Sequence, residues 1–238
     1  MSIFRSIVFS SIIAGVVVGT LVTLANYVGT VPLILRSEVY EQQAAAGEPP
    51  VATAEHSHDA ATLAHGHEEE TWAPQDGFER NVFTAGANIL VAIGFALLLS
   101  GAYVVSGRNV TWREGLFWGL GGFAVFTIAP GLGLSPELPG MPAAELGPRQ
   151  VWWIGTTIAT ACGLGLIVFL RSIGAAIAGV ALIAAPHIIG APVPVESASP
   201  VPESLWHEFV VAVTVTSFLF WAGLGGITGA LHQRFSRG

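Results

Sequence analysis

The 238-residue chain contains no lysine, and all nine of its basic residues are arginine. That excludes a phosphate loop of the G-x-x-x-x-G-K-[ST] type, whose lysine must reach the β- and γ-phosphates, and with it nucleotide hydrolysis by that route. Charge of either sign is scarce, at 11% of residues, while 52% are hydrophobic and the mean hydropathy is +0.65. A soluble globular domain carries about 25% charged residues, so the composition is that of a membrane protein. A single cysteine, Cys162, rules out a disulfide framework and a cysteine-based metal site; set in an apolar run, it reads as a small buried packing residue. There is no basic patch with interleaved aromatics, which removes nucleic acid as a partner. Neither H-E-x-x-H nor G-x-S-x-G occurs, and no acid falls at the centre of a long apolar stretch, so the chain reads as neither an enzyme nor a typical proton-coupled carrier.

What is present is length in apolar runs. A membrane helix needs roughly 20 mainly apolar residues to cover a hydrocarbon core near 30 Å. Six stretches qualify, at about 6–28, 81–105, 113–132, 150–170, 172–190 and 208–231. The fifth, rich in alanine and glycine and ending at Pro186, is the weakest, and without it five spans remain. The expected fold is therefore an all-α polytopic bundle forming one membrane domain over residues 1–238. With six spans, Arg5, Arg108, Arg113, Arg171, Arg234 and Arg237 share one side against Arg36, Arg80 and Arg149 on the other. Short cytoplasmic loops are enriched in positive charge, so both termini are expected in the cytoplasm of a bacterial inner membrane.

This orientation puts residues 36–80 outside the cytoplasm, and ten of the sixteen acids lie there. Within that loop "EHSHDAATLAHGHEEE" carries two H-x-H pairs, His56 with His58 and His65 with His67. Neutral imidazole suits cobalt, nickel, copper and zinc, whereas magnesium and calcium prefer all-oxygen sites. Glu68, Glu69 and Glu70 add negative potential that concentrates cations. Low apolar content and the lack of any helical or strand period predict a disordered segment, hence weak capture rather than selection. The other outer segments bring Asp76, Glu79, Glu137, His187, His207 and Glu208 to the same end of the bundle, where they would ring one vestibule. "AVFTIAPGLGLSPELPGMP" is the candidate entrance, because Pro130, Gly131 and Gly133 break a helix and irregular backbone at membrane depth is tolerated where it lines a wet cavity. Asn88, Thr127, Thr157, Thr160, Thr214 and Thr216 are the polar groups left at depth, to line a path or to bond to neighbouring helices.

Four segments carry a resemblance: "VPLILRSEVYE", the histidine-rich insert, "PQDGFERNVFT", and "GLFWGLGGFAVFTIAPGLGLSPELPGMPAAELGPRQVWW". Over most of its length the chain resembles CbtA, a family of cobalt transporter subunits. The resemblance implies an integral membrane protein for cobalt uptake, linked to vitamin B12 metabolism and accompanied by a small single-span second subunit of the same transporter. Cobalt comes from the resemblance; the residues themselves indicate only a borderline divalent metal, carried as cargo with no tightly bound cofactor. A nickel permease, or a non-transporting membrane chaperone for metal, is the alternative reading.

Overall fold

The computed structural model describes residues 3–47, 74–75, 77–107, 110–195 and 198–236, and the described residues contain helices and no strands. In chain order the helices are α1 (Ile3–Gly29), α2 (Val31–Gly47), α3 (Phe78–Ser106), α4 (Trp112–Phe123), a π turn (Ala124–Ile128) running into the short α5 (Ala129–Gly131), α6 (Leu146–Leu170), α7 (Ile173–Ile189) and α8 (Glu203–Ser236). Among the described residues α1, α3, α6 and α8 are long and apolar enough to cross a membrane, and α7 is a shorter apolar helix. Many of their large side chains lie exposed, Leu24, Leu90, Ile158 and Val211 among them, as lipid-facing surface requires.

Local chemistry sets several of the boundaries. Thr111 and Glu114 form a reciprocal capping box that starts α4: Thr111 N–H donates to Glu114 Oε2 at 2.8 Å, and Glu114 N–H donates to Thr111 Oγ1 at 3.4 Å. Gly107 ends α3 in the left-handed region at φ 64°, which costs a glycine little. The turn from α6 to α7 puts the same demand on Arg171, at φ 47°, and Ser172 Oγ then caps α7 by accepting from Ala175 N–H. Between α1 and α2 lies only Thr30, and Pro32 follows at the start of α2, where its missing N–H has no helical partner to lose.

Small residues bring the helices together, since lipid tails leave little hydrophobic drive between them. Gly115 and Gly119 of α4 meet Gly225, Gly229 and the Trp221 carbonyl of α8; Gly15 and Gly19 of α1 lie against Ile93 and Ile89 of α3; Gly163 of α6 faces Gly179 of α7. The core between α1, α3, α4 and α8 contains Ala14, Val18, Ala96, Leu99, Trp221 and Leu224, all buried. Two hydrogen bonds cross it, Ser11 to Ser100 at 3.2 Å and Tyr103 to Thr228 at 3.0 Å. A second cluster joins Leu33 of α2, Leu138 and Val201 of the connecting loops, and Leu205 and Phe209 of α8. It lies at what the arginine count makes the outer end of the bundle.

Four sequence expectations are corrected. The loop assigned to 36–80 begins as helix, because α2 runs to Gly47. The break in the third apolar stretch starts before Pro130, in the π turn. The fifth stretch runs as helix within the expected 172–190, but Pro186 does not end it: it sits inside α7 with its carbonyl accepting from Gly190 N–H at 3.0 Å. Cys162 is exposed rather than buried; its neighbour Gly163 is the residue that turns toward α7.

Candidate metal-entrance site

The π turn shapes the opening. Ala129 N–H donates five residues back, to Ala124 O, and Pro130 has no N–H, so Val125 O loses both donors a helix would give it. The widened turn carries Phe126 and Thr127 to the wall shared by two cavities. The larger of the two, about 940 Å³, is a groove between α6 and α8 floored by the π turn and the chain after Pro130; Glu137, Arg149, Gln150 and Thr214 are among its lining residues. The smaller one, about 440 Å³, lies beside it against α1, α3 and α8; its lining is mainly apolar, with Phe95, Phe220 and Trp221, and includes the polar side chains of Asn26, Thr30, Asn88, Thr127, Thr216 and Ser217. Phe126, Thr127, Trp153, Val213 and Ser217 line both. Beyond them the rings close up: Trp221 lies 4.8 Å from Phe95 and stacks on Phe126 at 5.4 Å.

The residues picked out in the sequence are placed as follows. Glu137 lines the groove, held by Arg149, whose Nη2 donates to Glu137 Oε2 at 2.9 Å. Glu208 accepts from Arg36 of α2 at 3.3 Å. Glu79 accepts from Gln75 N–H at 3.1 Å at the start of α3. His187 stands edge-on to Trp152, 5.8 Å between centroids, and Trp152 Nε1 donates to Pro186 O. His207 lies 3.8 Å from Glu203 and against Trp206, whose indole N–H donates to Pro136 O. His56, His58, His65, His67 and Asp76 fall outside the described residues. Among the described residues no three His, Cys, Asp or Glu side chains are gathered closely enough to hold a metal ion.

Arg36, Arg80 and Arg149 each meet a glutamate of another segment, since Arg80 Nη2 also donates to Glu38 Oε1 of α2 at 3.1 Å. The charge that weakened the arginine count is thus neutralised in pairs, which also tie α2 to α3 and α8. Sequence reasoning missed Asn26, Ser217 and Trp153. Asn26 carried a signal, as an amide inside an apolar run; the other two are indistinguishable from packing or anchoring residues until the helices are placed.

An all-helical bundle with long apolar helices, many of their large side chains turned outward, is the architecture of a multi-pass membrane protein. The family model described as "probable cobalt transporter subunit (CbtA)" matches residues 4–233, nearly the whole chain, and the chain belongs to that family. No curated protein and no solved structure matches it.

Proposed function

We propose that the protein is the membrane-embedded component through which a divalent transition metal, cobalt, enters the cell. The observation that carries this is the pair of cavities sharing a wall at the π turn, in a chain of a cobalt transporter family. The apolar runs cross a bacterial inner membrane six times, with α4, the π turn and α5 together making the third crossing and α7 the fifth. His56, His58, His65 and His67, on an extracytoplasmic loop, collect the metal. Asp76, Glu79, Glu137, His187, His207 and Glu208 supply negative charge and ligands at the outer end, and the groove leads inward from Glu137. A small single-span second subunit completes the transporter.

Energy for uptake need not come from ATP. A doubly charged ion moving inward gains about 4.6 kcal/mol per 100 mV of inside-negative potential, twice the value for one charge. Cells lacking other cobalt importers should accumulate radiolabelled cobalt when they express this protein with its partner. Equal accumulation with and without the pair would refute the proposal. A chaperone would bind the metal yet move none across liposomes.

A further inference from the structure

We infer that the smaller cavity takes the cation with its water shell intact and holds it through neutral oxygens, with Asn88 Oδ1 as the oriented acceptor; the inference builds on the transport reading above. Its basis is a hydrogen-bond chain between α1 and α3. Thr23 Oγ1 donates to Gly19 O at 2.8 Å, so its one proton is committed. The 3.0 Å contact between Thr23 Oγ1 and the Asn88 amide therefore requires Asn88 Nδ2–H as the donor. With one amide proton given to Thr23 and the amino group fixed on that side, Asn88 offers its carbonyl oxygen as an acceptor to the cavity it lines. On the α1 side Thr30 Oγ1 donates to Asn26 O and Oδ1, at 3.1 and 3.3 Å.

Volume and chemistry agree on what fits. Among the described residues no charged side chain lines this cavity, whereas several aromatic rings do. A bare divalent ion there would lose its hydration and find only neutral oxygens, with no charge to offset its own. At about 30 Å³ per water, an ion with six waters needs on the order of 200 Å³. The cavity of about 440 Å³ accommodates that. The waters around a cation point their protons outward, so the complex needs acceptors around it. Asn88 Oδ1 and the hydroxyl oxygens of Thr127, Thr216 and Ser217 are acceptors of that kind. The ligand class is therefore a hexahydrated divalent cation, recognised by size and outward proton donors rather than by nitrogen ligation.

The test is titration of the purified full-length protein with hexaamminecobalt(III). This inert ion has the size of a hexa-aquo complex, presents only N–H donors, and cannot take a histidine into its coordination shell. Binding is read from tryptophan fluorescence, because Trp153 and Trp221 line the cavity. The same preparation, joined by its partner subunit, is assayed for Co²⁺ uptake into liposomes. Wild type should show a saturable change, about tenfold weaker in Asn88→Leu for the loss of one charge-assisted acceptor. Thr23→Val, which frees the amide to turn, should weaken it several-fold, and Asn88→Asp, which keeps the side chain's size, should tighten it. Identical curves for wild type, Asn88→Leu and Asn88→Asp would overturn the inference. An Asn88-dependent change without Co²⁺ uptake would uphold the site and defeat the transport reading instead.

Discussion

Arg149 and Glu137 hold the mouth of the groove electrically neutral, each partly exposed and 2.9 Å apart. Partly exposed pairs contribute only about 0.2–1 kcal/mol to stability, so the pair matters more for what it does to an approaching cation. Glu137→Gln leaves an uncompensated guanidinium in the path and should lower uptake several-fold at limiting cobalt. Arg149→Gln releases the carboxylate and should raise it. Initial rates measured against cobalt concentration should place both effects in KM rather than kcat, shrinking as salt screens the charge. A second residue-scale expectation concerns α6, where Thr156, Thr157 and Thr160 bury hydroxyls with no hydrogen-bond partner. A buried unsatisfied hydroxyl costs about 1–3 kcal/mol, and valine has nearly the same shape. Thr156→Val, at a fully buried position, should therefore raise the melting temperature in detergent, and a fall would mean that the hydroxyl has a partner in the membrane.

Among the elements, the α4–α8 pair is the tightest, and a Cβ on Gly119 would run into the Trp221 carbonyl. Overpacking of this kind costs about 1–3 kcal/mol or more, because backbone cannot move aside as a side chain can. Gly119→Ala should lower the melting temperature clearly, whereas Gly226→Ala, with nothing within 4 Å, should not. Much of this level was legible in the sequence. Apolar run length located every long helix, since backbone polar groups in lipid must be satisfied within the helix. The π turn was not legible: "AVFTIAP" has the hydropathy of ordinary helix, and only Pro130 hints that a carbonyl upstream loses its donor. Helix α2 was hidden for the opposite reason, because "SEVYEQQAAAG" is polar enough to pass for loop when its packing against α8 is unknown.

On the scale of the whole molecule, the cavities depend on contacts between distant segments. Thr23 and Asn88 are 65 positions apart, and their register follows from Gly15 and Gly19 lying against α3. Periodicity names such residues as polar groups at depth but cannot pair them. The vestibule foreseen from the outer carboxylates and histidines shared that weakness: proximity to one end of the bundle is readable, whereas the arginine that each of Glu137 and Glu208 meets is not. On the proposed reading the histidine loop belongs to this scale too, as a collector of metal. Deleting residues 55–70 should weaken uptake at scarce metal and leave it nearly intact at abundant metal, as measured by concentration-dependent accumulation in cells. The most direct test of the central claim is Co²⁺ flux into liposomes containing the purified protein and its partner, with an imposed inside-negative potential and no ATP. Accumulation should grow with the potential and collapse when it is dissipated; flux no greater than in empty liposomes would refute transport by this protein.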